Sequence, residues 1–426
     1  MVFLSGQTEP YLSFYFVYNA ISVRTYLPTN PFTPCERKAV FSLAGIYFLR
    51  MFGVFMILPV LSLYAEGLSG ATPFVIGLAL GIYGFTQAVF QVPFGMLSDR
   101  YNRKYIIAMG LIIFGIGSVV AALADSMAGL VAGRAIQGAG AISAAVLALN
   151  ADLTRNDQRT KSMAIIGISI GVAFMASLIL APVIQGYIGV PGLFWMVAVL
   201  SVSAVFVLAK VVPDAEPADR QIGAGLSAGQ FRRLLGNPQL LQLNLGILIL
   251  HLVLTALFLL LPALFREKSG FELSGHWKLY LVVLGVSVAG MAPFVMAGSK
   301  ERWLKSTYRA AIGVLLMATC GMFFAHHSTL FAVMVAAALF FSAFNALESL
   351  LPSIVSQVAP RNQRGAAMGI YNTFQFSGIF LGGAGGGWLN GQYGHAGVLV
   401  FCVLAITAWL GSTIALGGLR GTVTEE

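Results

Sequence analysis

Residues 75–124 read VIGLALGIYGFTQAVFQVPFGMLSDRYNRKYIIAMGLIIFGIGSVVAALA: two apolar runs joined by one charged elbow, Ser98-Asp99-Arg100-Tyr101-Asn102-Arg103-Lys104. Either run can cross the roughly 30 Å of bilayer hydrocarbon as a helix, which takes about 20 residues. An elbow this short and basic makes the two helices antiparallel and keeps its charges in water. The same pattern recurs along the chain. Of its 426 residues 58% are hydrophobic and 10% charged, against about a quarter charged in a soluble domain, and the mean hydropathy is +0.84. The bilayer is the solvent in which this sequence folds.

Cutting the chain at its charged, Pro and Gly clusters gives twelve spans, near 40–66, 75–98, 105–124, 128–153, 162–187, 192–212, 239–265, 276–298, 306–325, 328–358, 366–389 and 396–418. The expected fold is an all-α membrane protein with two six-helix bundles, 40–212 and 239–418. A polar linker, 213–238, joins them, and an extension, 1–39, and a tail, 419–426, flank them. Within the extension Tyr11–Val23 is apolar but too short to span and lacks a basic leader. It reads as disordered, interfacial, or the product of a misassigned start. If odd spans run outward, the clusters Arg100–Lys104, Arg155–Lys161, Lys300–Arg309 and Arg361–Arg364 share the cytoplasmic side, while Arg266, Lys268 and Lys278 lie outside. The positive-inside rule then places both termini in the cytoplasm. The net charge of +9 thus reports topology, not nucleic-acid binding. Cys35, Cys320 and Cys402 are far apart, with no metal or disulfide spacing.

An internal repeat supports the two halves. Pro93-Phe94-Gly95-Met96 matches Pro293-Phe294-Val295-Met296 at an offset of 200, and Gln158-Arg159 with Met163 matches Gln363-Arg364 with Met368 at 205. Transporters are often built from such duplicated halves, with the site between them.

The elbow Gly95-Met96-Leu97-Ser98-Asp99-Arg100-Tyr101-Asn102-Arg103-Lys104 resembles the signature loop of the major facilitator superfamily, glycine-x-leucine-small-aspartate-arginine-x-glycine-arginine-lysine. Span 4 carries Leu130, Arg134, Gln137, Gly138, Gly140 and Ala141, similar to that superfamily's second motif. Ser177, Ala181, Pro182 and Gly186 in span 5 are similar to its antiporter motif, with Ser and Ala where glycines are usual. Together with Thr86-Gln87-Ala88-Val89-Phe90-Gln91 and the stretch from Phe344-Asn345 through Glu348 to Leu351-Pro352-Ser353, these residues resemble the YajR group of bacterial inner-membrane proton-driven transporters, over residues 34–418. That group lies within the twelve-span drug:proton antiporters. It also has a cytoplasmic C-terminal domain, which the short segment after span 12 does not match.

The resemblance implies a multi-pass inner-membrane transporter that works by alternating access on the proton gradient, with no cofactor. It implies a gate of Gly95, Asp99, Arg100, Arg103 and Asp152: Asp99 docks on the start of span 11, near Gly365, when the cytoplasmic side is shut, and Arg103 pairs with Asp152. A carboxylate on a helix start is worth about 0.5–2 kcal/mol, small enough to open on every cycle. Asn102 takes the place of the usual glycine and is expected at the positive φ of a tight turn. Ser299 stands where the repeat would place a second aspartate, so the latch is one-sided.

Charges inside hydrocarbon are costly, so each needs a reason. Arg50 and His251 fall near the midplane of spans 1 and 7, Arg134 nearer the outside of span 4, and Glu348 in the cytoplasmic half of span 10. Glu348 is the only acid well inside a span, and burial that opposes its charge lets a carboxyl carry a proton. His251 can do the same, or simply bridge helices. Arg134 resembles the family's span 4 arginine, linked there to proton transfer, and Arg50 can hold a substrate anion or partner Glu348. Gln87, Gln91, Asn345, Asn372 and Gln375 can line a cavity or bond helix to helix. The run Gly382–Gly387 is no phosphate cradle, because no strand precedes it and no Lys-Ser/Thr follows. No metal-ligand or nucleophile set argues for an enzyme.

The sequence therefore predicts a monomeric secondary transporter that exports a small molecule in exchange for protons. Symport of a sugar, amino acid or organic anion stands as an alternative, as does a non-transporting sensor or scaffold.

Overall fold

A computed structural model describes residues 31–214, 228–325, 328–360 and 363–415. The extension up to residue 30, linker residues 215–227 and the tail from 416 lie outside the described residues, with the expectations that fall on them.

The described chain is helical, with one isolated backbone bridge, Ser69 to Ser126. Among the described residues ten helical runs are long and apolar enough to cross a membrane. Two of them, Arg159–Lys210 and Arg364–Ala415, are 52 residues long, more than twice what one crossing requires. Each breaks at a glycine with positive φ, Gly189 at 68° and Gly394 at 64°. Divided there, they bring the ten runs to the twelve spans expected. The two breaks lie 205 positions apart, the offset that separates Gln158 from Gln363.

The first half comprises α1 (Pro34–Ala65), α2 (Pro73–Arg100), α3 (Arg103–Ala122), α4 (Met127–Asp152), α5 (159–188) and α6 (190–210). The second comprises α7 (Pro238–Ser269), α8 (Trp277–Gly298), α9 (Glu301–Ala325), α10 (Leu330–Val358), α11 (364–393) and α12 (395–415). A short helix, Ala228–Gly236, lies within the linker. At the linker's start, Asp214 is held by Lys104 at 2.6 Å.

Three local expectations are corrected. The first helix begins at Pro34, not near 40, because Thr33 and Glu36 form a capping box that starts it earlier. Asn102 has φ −62° and caps α3, its Oδ1 accepting from the Lys104 N–H at 2.9 Å. Its side-chain acceptor is what the position uses, and no left-handed turn is present. Helix α4 is not continuous: it stops at Ala139 and restarts at Ser143, with Gly140 at φ −76°, ψ 58°.

The halves meet along α2 and α11, α1 and α7, and α5 and α8. On the α2–α11 seam a Cβ at Gly77 would stand 2.7 Å from Gly387 Cα, and one at Gly81 2.8 Å from the Phe380 carbonyl oxygen. Only glycine lets the two backbones touch. These contacts, with the Glu66–Arg266 ion pair at 3.2 Å and Ser274 seated on Gly186, close the face opposite the basic loops. At mid-depth Phe174 of α5 packs on Phe55 of α1 and on Phe341 and Phe344 of α10, with centroids 5.1, 6.1 and 6.0 Å away. Toward the basic face Gly167 and Gly171 on α5 and Gly365 and Gly369 on α11 have no neighbour within 4 Å of where a Cβ would stand.

Candidate functional site

Two polar clusters flank the middle of the interface. In the second half, Leu-rich α7 buries nearly every residue from Leu250 to Leu261, and His251 is the polar interruption. Its Nδ1 faces the Ile247 carbonyl at 3.3 Å, and its Nε2 faces the Gln375 amide nitrogen of α11 at 2.8 Å. These neighbours select the neutral tautomer in which Nδ1–H donates and Nε2 accepts. The same amide nitrogen donates to Glu348 Oε1 of α10 at 3.3 Å, and Glu348 Oε2 lies 3.9 Å from His251 Nε2. Gln375 thus holds acid and imidazole together. The Glu348 side chain is 36% exposed, His251 only 8%, and Glu348 Oε2 is buried without a hydrogen-bond partner.

In the first half the two arginines are each 1% exposed. Arg50 of α1 donates through Nη2 to Gln87 Oε1 at 2.9 Å and to the Gly140 carbonyl at 2.8 Å, at the break in α4. That break frees carbonyls at the end of a half-helix, where the dipole is negative and a guanidinium is favoured. Arg50 Nε and Nη1 find no protein partner. Arg134 of α4 donates to the Ala79 carbonyl at 3.3 Å and to Gln137 Oε1 at 2.8 Å, and sits 5.0 Å over the Tyr83 ring. Gln87 reaches on to Gln91 at 3.3 Å.

Of the two roles open to Arg50, pairing with Glu348 is absent. The two belong to different clusters, and Arg50's bonds go to neutral oxygens of its own half. Asn345 approaches Ser287 of α8 at 3.5 Å, and Asn372 is half-buried on α11.

At the elbow Arg103 Nε lies 2.7 Å from Asp152 and its Nη1 3.5 Å from Asp99. The Asp99 carboxylate is 55% exposed, and among the described residues Arg103 is its one ion-pair partner. It does not sit on the start of α11, which begins at Arg364. Gly95 faces Ala144 of α4, and Arg100 is exposed.

The family model described as Major Facilitator Superfamily matches residues 43–383 and 310–420. The chain belongs to the major facilitator superfamily. It is 42% identical over 378 residues to the inner membrane transport protein YajR of Escherichia coli, covering 89% of this chain and 83% of that protein. It is 30% identical over 152 residues to the quinolone resistance protein NorA of Staphylococcus aureus, covering 35% of this chain and 38% of that one. Among solved structures, a bacterial homolog of the human lysosomal transporter Spinster, in an inward-facing and occupied conformation, aligns with a TM-score of 0.73 at 15% identity, over 90% of this chain and 97% of that one. The last shares the fold.

As a superfamily member the chain is a multi-pass membrane transporter of a small molecule. Two of its structural contacts escaped the sequence reading. Glu36, buried, clamps Arg155 of the α4–α5 loop with three bonds of 2.9, 2.9 and 3.0 Å. The Thr33-x-x-Glu36 cap signature was its available signal, hidden by assigning the segment to the extension. Tyr83, which touches both arginines, had no signal: an aromatic in a span looks the same whether it faces lipid or a cluster.

Proposed function

We propose that the protein is a proton-coupled exporter, working as a monomer in a bacterial inner membrane, with its basic face and both termini in the cytoplasm. The observation that carries this reading is the partly buried Glu348 joined to His251 through Gln375. An acid within the spans can load a proton, and its bond to Gln375, which also holds His251, makes that proton felt on two other helices. Similarity to an inner membrane transport protein, YajR, and to a quinolone resistance protein, NorA, is consistent with this reading. In this reading the closed face is periplasmic, the arrangement is open to the cytoplasm, and the undocked Asp99 belongs to that state.

The test is transport in proteoliposomes under an imposed pH gradient, with a fluoroquinolone as the first solute. Uptake into vesicles that tracks the gradient is expected for the parent and should fall at least about tenfold in Glu348→Gln, a group that acts directly on coupling. Gradient-driven transport unchanged in both Glu348→Gln and His251→Ala would overturn the assignment.

A second reading, symport of an organic anion, is favoured by one observation: Arg50 and Arg134 have no carboxylate within ion-pair distance among the described residues, and Arg50 keeps two donors unpartnered. Benzoate, benzyl alcohol and benzylamine share one shape and differ in charge. Selective protection of the purified protein against unfolding by benzoate, lost in Arg50→Gln, supports this reading. Protection by benzylamine counts against it.

A further inference from the structure

The two polar clusters lie in different bundles, yet one short stretch of α11 touches both. Gln375 turns toward α7 and α10, where it bonds His251 and Glu348. Its neighbour Phe376, 8% exposed, turns toward α2 and meets the Tyr83 ring edge-on, centroids 6.5 Å apart at 78°. Tyr83 in turn places its hydroxyl 3.5 Å from Arg50 Nη2 and its ring 5.0 Å under the Arg134 guanidinium. Beside this contact the Phe376 backbone lies against Gly84, where a Cβ would stand 2.8 Å from Ile379 Cβ. There is no slack between the helices.

We propose that Gln375, Phe376 and Tyr83 form the link by which the proton on the Glu348–His251 pair is sensed by the arginine cluster of the other bundle, Gln375 and Tyr83 acting as positioning residues. The inference rests on the proton-coupling reading above. The physical argument starts at the amide. As placed, Gln375 Nε2 donates both to a carboxylate oxygen and to an unprotonated imidazole nitrogen. A proton arriving on His251 Nε2 turns that acceptor into a donor, and a proton on Glu348 removes the charge that favours its bond. With His251 protonated the amide must turn or α11 must shift, because two donors then face each other; with Glu348 protonated the amide's bond to it weakens and the amide is released to do so. Packed interiors move between discrete arrangements and do not deform smoothly, so the Phe376–Tyr83 contact moves with the helix and resets the hydrogen bond and cation–π contact to the arginines.

Other titratable groups around the acid are His251 from α7 and Tyr371 from α11, which also faces Tyr308 of α9. Among the described residues no ion pair joins Glu348 to the first half.

The test needs no substrate. In a background lacking Cys35, Cys320 and Cys402, spin labels at Asn156→Cys and Lys300→Cys, exposed loops of the two halves on the basic face, report the ratio of open to closed populations between about pH 5 and 8. The parent ratio is expected to change by about 5- to 150-fold, the usual range of coupling between sites. In Gln375→Leu, Tyr83→Leu and Phe376→Leu it should change by under about 2-fold, outside the range expected for coupling. Tyr83→Phe, which keeps the ring, should retain most of the response, and the Tyr83→Leu/Phe376→Leu double variant should be no worse than either single one, because both act through one contact. Cooperative unfolding of each variant is checked beforehand, and Phe376→Leu stands in if Tyr83→Leu does not fold. A full response in Tyr83→Leu or Phe376→Leu, with Glu348→Gln silent, overturns the link and leaves the proton site standing. A parent without response, or Glu348→Gln and His251→Ala proteins that both respond like the parent, overturns the proton site and the link with it.

Discussion

A single amide decides how the acid and the imidazole work. With Gln375 between them, Glu348 and His251 sit 3.9 Å apart without a direct hydrogen bond, so neither charge state is locked by the other. Gln375→Glu should therefore be more disruptive than Gln375→Asn, since a second carboxylate beside Glu348 forces the two acids to share a proton; a pH profile of the open-to-closed ratio, displaced in the Glu variant and preserved in the Asn one, is the expected result. Asn102 gives a prediction of a different kind. As a helix cap and not a left-handed turn, it should tolerate Gly at a cost of a few tenths of a kcal/mol, whereas Asn102→Ala should lose about 0.5–2 kcal/mol, read from thermal unfolding in detergent. Had the residue stood at positive φ, Gly would have stabilised and Ala would have strained the turn.

Among the helices the decisive element is α11, which carries the polar contact to α7 and α10 and the glycine seam to α2 on successive turns. The seam is the tightest junction between the halves. A side chain at Gly77 has nowhere to go, because its first carbon already meets Gly383 and Gly387 backbone. Gly77→Leu should pry the closed face apart and move the population away from the arrangement seen here. Spin labels at Asp125→Cys and Glu272→Cys, exposed on that face in the two halves, should report a longer distance; an unchanged distance would mean the seam is not what holds the face shut. Helix α4 shows the complementary device: its break at Gly140 exposes carbonyls that Arg50 answers, so a cation is fixed at mid-depth without a carboxylate.

At the scale of the molecule, the glycine seam joins two halves on one face, and on the other the elbow is tied within the first half and to the start of the linker. Asp99→Asn should leave this arrangement intact, because among the described residues the carboxylate pairs only with Arg103 of its own half. It should instead weaken the opposite arrangement, in which the aspartate meets the α11 start, by about 0.5–2 kcal/mol, or roughly 2- to 30-fold in population. The Asn156→Cys and Lys300→Cys labels on the basic face should then show a larger open fraction, and a shift toward the closed form would refute the latch.

The sequence by itself determined the solvent, the twelve crossings, the division into halves and the short roster of ionisable groups inside the spans. These follow from length, hydropathy and charge, which add up along the chain without knowledge of neighbours. Only the tertiary structure decided that Glu348 meets Gln375 and His251 and not Arg50, that α4 is broken, and which face is shut. Lipid and protein interior are equally apolar, so the rotation and register of a membrane helix leave little trace in its hydropathy. Side-chain partners are settled only when the helices have packed.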